Sequence, residues 1–405
     1  MDTLKELYKV GNGPSSSHTM GPQFAALRFK NRHPNANRYV VELYGSLAAT
    51  GRGHLTDKIL YDTLGKNKTE VIFKPELFYD YHPNGMKLFA YSENNTIIEE
   101  ELVFSVGGGS LKGLNEPREI AHKSYYPLRF MNDILHYCEK NNMSLLDYVL
   151  ECEDDDILEF SKNVVVQMFD TVEKGLKKTG YLPGPLKIQR RANSIYNKYI
   201  ENKDFNSLVF SATLAVSEEN ASGGIVVTTP TCGASGVLPG VMYAYFKTEK
   251  CSIEDIAKAV LVGGLVGNLV KHNASISGAE VGCQGEVGTA CSMTAAALAY
   301  LKGGNNKHQE YAAEIALEHH LGMTCDPILG YVQIPCIERN ALSARRAIDS
   351  CNFALLTDGN HYIKLDDVIV SLKETGKDLH SNYRETSLGG LAKIKLPLYE
   401  ETESE

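Results

Sequence analysis

The sequence predicts an α+β N-terminal domain over residues 1–125 followed by an all-α domain over residues 126–405. Three observations support that division. Runs rich in β-branched and aromatic residues, "RYVVELYG", "TEVIFK", "MKLFAYS" and "IIEEELVFSVGGG", are confined to the first third, where they read as strands. From about Tyr125 onward the apolar residues recur at helical spacing. The later segments are also rich in Ala, Gly and Ser, small side chains that let helix axes approach closely.

Taken in order, "PQFAALRFKNRH" has helical spacing, and "SENNT", Ser92 to Thr96, predicts a hairpin turn between the last two strands. Helices follow over "LRFMNDILHYCEKNN", "SLLDYVLEC", "LEFSKNVVVQMFDTVEKGLKK" and "SIYNKYIE". The same pattern recurs in "DIAKAVLVGGLVGNLVKH", "TACSMTAAALAYLKGG", "QEYAAEIALEHHLG", "ERNALSARRAIDSCNFALL" and "LDDVIVSLKETGKDL". Only "GIVVTT" interrupts this part as a strand candidate.

The chain has 405 residues, 43% hydrophobic and 22% charged, an ordinary globular composition. A net charge of −9 argues against a nucleic-acid partner, which needs Lys/Arg patches. The N-terminal "MDTLKELYKVGNG" lacks the apolar run of a signal peptide. The longest apolar stretch, Ala259 to Val270, is too short to span a bilayer. A soluble cytoplasmic chain with no membrane partner is expected. Nine cysteines, an odd number in a long chain, do not suggest a disulfide framework and leave thiols free for metal or catalysis.

Three of those thiols stand apart. Cys283 in "EVGCQGEVG", Cys325 in "TCDP" and Cys336 in "PCIERN" lie in Gly- or Pro-bounded loops, 42 and 11 positions apart. Cys138, Cys251, Cys291 and Cys351 fall in helix-like runs, where a free thiol behaves as a small hydrophobe, and Cys152 opens the acidic run "ECEDDD". Zinc sites favour four ligands in closely spaced pairs, and ferredoxin-type clusters show tight C-x₂-C runs. Neither pattern is present. Three thiolates from three loops would leave one iron of a four-iron cluster without a protein ligand, open to act as a Lewis acid. Three unrelated loop thiols are the other reading.

"GNGPSSSHTMGP" gathers Ser15, Ser16, Ser17, His18 and Thr19. Exposed amides and hydroxyls there would cradle an anion, above all if a helix opens at this point; a flexible Ser-rich turn has the same composition. His54 lies in a second Gly-flanked loop, "TGRGHLTD", and two such histidines in one domain suggest that both face a cleft. "SVGGGS", Ser105 to Ser110, is either a third such loop or a strand terminator. "KHNASISGAEVG" sets Lys271, Asn273, Ser275 and Ser277 just before Cys283, as donors to sulfide or a carboxylate. His319 and His320 read as helix-end caps, and Arg339 and Arg384 as candidate carboxylate partners.

At these residues the chain resembles the iron–sulfur-dependent L-serine dehydratases, or L-serine ammonia-lyases. "ASISGAEVGCQGEVG", "ALEHHLGMTCDPILGYVQIPCIERNA" and "RETSLGGLA" carry the resemblance in the helical part, and "GPSSSHTMGP" and "GSLAATGRGHLTD" in the first part. The motifs run in order from residue 11 to 392. The resemblance implies one polypeptide with a β-type part and an α-type catalytic part. It implies a 4Fe-4S cluster on Cys283, Cys325 and Cys336, and conversion of L-serine to pyruvate and ammonia without pyridoxal phosphate. His18 and His54 are then the expected catalytic, proton-handling groups, since a neutral imidazole accepts a proton near neutral pH. Ser15, Ser16, Ser17, Thr19, Asn273 and Ser275 are the expected substrate contacts, and a homodimer is the expected assembly. L-Cysteine desulfidation, threonine dehydration and a non-catalytic iron–sulfur role are the alternatives.

Three departures stand out. Some members carry a C-terminal cysteine thought to reach the cluster, and "LPLYEETESE" has none. The region similar to "APTxGxxG" reads "TPTCGASG", with Cys232 as a casual variation, a site-lining thiol or a transient fourth ligand. Leu55 stands where a Gly usually follows the second-motif histidine, a change in backbone freedom.

Overall fold

Along Gly85–Tyr91 every second side chain, Met86, Leu88 and Ala90, is buried, the period-two pattern of a strand with one covered face. The computed structural model describes residues 1–114 and 124–394. Its strands are β1 (Val10–Asn12), β2 (Arg38–Tyr44), β3 (Thr69–Lys74), β4 (Gly85–Tyr91), β5 (Ile97–Ser105), β6 (Leu111–Gly113) and β7 (Ile225–Val227). Five of them form one sheet in the order β3-β2-β4-β5-β6. β2 and β3 run parallel, joined through the helix Thr56–Leu64; the other pairings are antiparallel. The β4–β5 hairpin closes at Ser92–Thr96, with Asn95 in the left-handed region, as the turn chemistry predicts.

The helices Gly21–Arg32 and Thr56–Leu64 supply the apolar partners of this sheet. Ala25, Ala26, Phe29, Leu60 and Leu64 pack with Tyr39, Val41, Leu43, Met86, Leu88 and Val103 in one core. Helix and strand periodicities in this part of the sequence are therefore satisfied by each other.

Between Met131 and Ile394 the regular elements are helices, apart from the short strand β7. The two helices at its centre, Ile253–Asn273 and Thr289–Leu301, are apolar nearly all round, as deeply buried helices are. Gly263 permits their crossing, since a Cβ there would lie 2.6 Å from the carbonyl oxygen of Met293. Ser252 and Asp255 start the first of them with reciprocal capping bonds. The α+β then all-helical order expected from the sequence is the order observed.

Two long helices escape the sequence reading. Phe205–Ala221 is buried along most of its length and has no polar face to reveal its period. Val237–Thr248 carries Pro239 and Gly240 in its first turns, which mask it as a loop. The expected division at 125/126 also meets a detail of packing: Leu4, Leu7, Tyr8 and Met20 sit in the helical core, and β1 pairs with β7. Tyr8 donates its hydroxyl to the carbonyl of Val260 at 2.7 Å. The first twenty residues thus tie the sheet to the helices. Among the described residues no helix is long and apolar enough to cross a membrane.

Candidate active site

The serine-rich loop is held by hydrogen bonds at several points. Ser15 caps a single π-turn, Ser16–Met20, by accepting the His18 amide at 3.0 Å, and that turn runs straight into the helix Gly21–Arg32. The carbonyl of Pro14 accepts from Asn220 Nδ2 at 2.8 Å, and Gly13 donates to the carbonyl of Gly224 at 2.9 Å. Ser15, Ser16, Ser17, His18 and Thr19 are all buried. Ser17 Oγ lies 2.9 Å from His18 Nδ1 and 3.3 Å from Ser15 Oγ; Ser46 Oγ lies 3.3 Å from His18 Nε2.

The second loop brings His54 onto His18. Their rings stack 4.5 Å apart at 29°. His54 Nδ1 lies 3.0 Å from the carbonyl oxygen of Thr50. A carbonyl only accepts, so Nδ1 carries the proton and Nε2 keeps its lone pair. Burial holds both imidazoles below their ordinary value, His54 at about 4, and His18 is lowered further by its neighbour His54. Both rings are neutral at neutral pH. Leu55, the departure from the usual Gly, occupies the left-handed region at φ +57°, where a non-glycine residue costs roughly 1–2 kcal/mol.

The helical part supplies thiols. Cys283 precedes the π-turn Gln284–Gly288 that leads into Thr289–Leu301; Cys325 lies in the loop after Asn306–Glu318; Cys336 begins the helix Cys336–Leu355. All three are buried. Ligand atoms of Cys283, Glu286 and Cys325 lie within 4.8 Å of one another, a set that could hold a metal ion. Gly278 makes room for it, since a Cβ there would fall 2.5 Å from Glu286 Oε2 and 3.3 Å from Cys325 Sγ. Cys336 is outside that tight set; burial, and then the nearby charge of Cys283, raise its thiol, with Arg339 acting the other way. A hydrogen bond from Cys325, backed by the Arg339 guanidinium against the cost of burial, draws Cys283 down to about 6, toward the thiolate that binds metal. Glu286 accepts from Thr231 Oγ1 at 3.0 Å, and burial and then Cys283 push its carboxyl well above the usual range.

A third segment, 381–393, joins the two. Cys325 donates to the carbonyl of Tyr383 at 2.8 Å, and Glu385 donates back to the carbonyl of Cys325 at 2.8 Å. Glu385 Oε1 then stands 3.7 Å from His18 Nδ1 and 3.6 Å from His54 Nε2. Burial, and then Cys283, raise this carboxyl to about 8. Asp326 anchors the same segment by accepting the Leu391 amide at 2.8 Å, while Arg339 reaches the carbonyl of Thr324 at 2.6 Å and Asp326 Oδ1 at 3.3 Å.

Of the residues singled out from sequence, the structure gathers His18, His54 and their serines on one side and Cys283, Cys325 and Arg339 on the other. Asn273 is turned away, its amide donating to the carbonyl of Arg129 at 2.7 Å. Ser275 bonds Glu280 and accepts the Ser277 amide at 3.1 Å. The triple glycine of "SVGGGS" is a close-approach loop: Gly107, Gly108 and Gly109 all have positive φ and face Ser277, Ile276 and Met20. His319 and His320 bond carbonyls four residues back, as helix-end groups do. Glu286, Glu385 and His82 were missed. Glu286 follows Cys283 by three positions, the one signal that marked it; His82 lies 3.9 Å from Glu280 Oε1 at the domain junction. Arg384, the charge singled out beside Glu385, points to the carbonyl of Glu280 at 3.4 Å.

Comparison with known proteins agrees with this two-part site. Residues 3–70 and 64–116 match the family described as serine dehydratase beta chain, and residues 113–392 the family described as serine dehydratase alpha chain. An L-serine dehydratase of Haemophilus influenzae is 39% identical over 451 aligned positions, covering 97% of this chain and 99% of that protein. One from Streptomyces coelicolor is 38% identical, covering 96% and 97%, and L-serine dehydratase 1 of Escherichia coli is 37% identical, covering 97% and 99%. With the paired imidazoles in the half that matches the beta chain and the buried thiols in the half that matches the alpha chain, this polypeptide belongs to the serine dehydratase family and is a lyase.

Proposed function

We propose that the chain eliminates water from L-serine to give pyruvate and ammonia, using a 4Fe-4S cluster on Cys283, Cys325 and Cys336. The donor chemistry fits the cluster. Three buried thiols stand before a π-turn, in a loop and at a helix start, one of them drawn toward the thiolate, and soft thiolates favour iron–sulfur centres. When bound, the cluster supplies a Lewis acid for the departing hydroxyl.

The protein's own part is proton removal and orientation. His54 is the group we assign as base: its Nδ1–H is spent on the Thr50 carbonyl, so Nε2 is free to take the α-proton. His18, stacked on it, sits between the hydroxyls of Ser17 and Ser46. Ser16, Ser17 and His18 are the groups assigned to the substrate carboxylate. Ser15 and Thr19 shape the loop by their backbone partners, and Asn273 and Ser275 are left out because their side chains are engaged elsewhere. Loss of the α-proton and of the β-hydroxyl, as water, leaves aminoacrylate. Its tautomer hydrolyses to pyruvate and ammonia with no further catalytic group.

The observation that carries this reading is the fixed tautomer of His54 beside the cysteine-bearing loop. Its test is pyruvate release by the anaerobically reconstituted chain from L-serine, D-serine, L-threonine and L-cysteine, repeated with His54→Ala. L-Serine should be the preferred substrate. His54→Ala should keep its iron and lose about 10²-fold or more of turnover, with α-deuterium wash-in abolished. Near-normal turnover in that variant, or preference for another substrate, would defeat the assignment.

A further inference from the structure

Glu385 reaches the imidazole pair from the opposite domain, and its backbone shows how it is held there. Residues 383–385 run alongside Cys325, with hydrogen bonds of 2.8 Å on either side of that cysteine. Glu385 itself is in the left-handed region at φ +57°, a conformation that glycine would take freely and that costs a side-chain-bearing residue roughly 1–2 kcal/mol. Strain of this kind at a site interior marks a side chain whose placement matters.

The placement is specific. The side chain is buried, and one carboxylate oxygen faces one nitrogen of each ring, at 3.7 Å for His18 and 3.6 Å for His54. Both separations are slightly beyond hydrogen-bond range, so the carboxylate stands between the rings and is committed to neither. Ser46 Oγ, 3.3 Å from His18 Nε2, also lies 3.5 Å from the backbone carbonyl of Glu385. A single residue therefore contacts the cysteine loop through its amide and meets both imidazoles through its side chain.

We propose that Glu385 is a positioning residue for the elimination: held by backbone hydrogen bonds to Cys325, it sets His18 and His54 of the N-terminal domain in register with the cysteine site. The proposal rests on the serine dehydratase reading given above. It explains why a carboxylate occupies a strained position where Gly or Asn would be easier. It assigns Glu385 no contact with substrate and no role as a metal ligand.

The test uses the full chain with three variants. Glu385→Gln keeps length and hydrogen-bonding capacity, Glu385→Asp shortens the reach, and Glu385→Ala removes it. In the reconstituted enzyme, Ala and Asp should lower kcat by about 10²-fold, the scale of a misplaced catalytic group, with KM for L-serine and iron content unchanged. Gln should recover at least about tenfold of that loss, because it restores the placement. In the apoprotein labelled with ¹⁵N-histidine, Ala should move the ring-nitrogen resonances of His18 and His54, and Gln should leave them near wild type. Iron loss in Glu385→Ala would make the residue a ligand and overturn the proposal. So would unchanged kcat, unmoved ring signals, or a Gln variant as impaired as Ala. If the wild-type enzyme released no pyruvate from L-serine, the functional reading would fail instead, and the apoprotein spectra would still decide the placement.

Discussion

Thr19 donates its hydroxyl proton to the carbonyl of His54 at 2.6 Å, and Thr56 returns the bond to the carbonyl of His18 at 2.5 Å. This exchange locks the two glycine-flanked loops together and holds the imidazoles in their stack. Each hydroxyl is fully buried, so its loss strands a buried carbonyl without a partner, at a cost of about 1–3 kcal/mol. Thr19→Val should lower the stability of the apoprotein by that amount in urea melts and reduce turnover at unchanged iron content. A variant with wild-type melts and a greatly raised KM would instead mean that the Thr19 hydroxyl serves the substrate.

The pH dependence of catalysis should report the buried His54. Burial lowers this imidazole to about 4, so its neutral form, the form proposed as base, persists as pH falls well below the usual histidine range. The acid limb of kcat/KM set by this group should lie below about pH 5. A limb centred near the ordinary histidine value of about 6.5 would show that His54 is not the base.

Glu314 gives a separate, stability-based expectation away from the site. Burial, and then the charges of Glu318 and Glu310, raise its carboxyl to about 8. Its folded value lies above its unfolded one, so the folded chain holds the proton more tightly. Its contribution is full below the unfolded value of about 4.5 and is lost as pH rises through about 8. The apoprotein should therefore melt lower at about pH 8.5 than at pH 6, and Glu314→Gln should flatten that difference. Equal slopes for the two proteins would remove Glu314 as the cause.

Cys232 is buried, and burial followed by the charge of Glu286 raises its thiol far above the usual range. It stands in "TPTCGASG", where the related motif carries another residue, so metal binding should not need it. Cys232→Ala should retain iron and measurable turnover; loss of the metal in that variant would promote it to a ligand.

How far the sequence revealed these features depended on whether a local pattern existed. The strands of the sheet were legible because "RYVVELYG" and "MKLFAYS" carry β-branched and aromatic side chains between turn residues, and the sheet satisfies that pattern. The helix Phe205–Ala221 was not, because a segment buried on all sides has no amphipathic period. Cys283, Cys325, His18 and His54 stood out by type in Gly- and Pro-rich loops. Proximity in sequence to Cys283 pointed to Asn273, yet the helix Ile253–Asn273 ends with that amide on Arg129, and only the turn after it reaches the site. Glu385 lies inside "RETSLGGLA", yet its own chemistry did not single it out: a carboxyl among Ser and Gly looks like a solvated loop, and the groups it meets, His18 and His54, lie more than three hundred residues away in sequence. Only the pairing of its backbone with Cys325 brings it inside.

The central claim is that Cys283, Cys325 and Cys336 together hold the metal centre beside which the N-terminal imidazoles act on L-serine. Iron, acid-labile sulfide and pyruvate release measured on the same anaerobic preparations, for wild type and for Cys283→Ser, Cys325→Ser and Cys336→Ser, test it most directly. The account predicts about four irons and four sulfides per wild-type chain, with pyruvate formed, and loss of most iron and all pyruvate in each variant. Full iron content and full pyruvate release in any one of the three would contradict it.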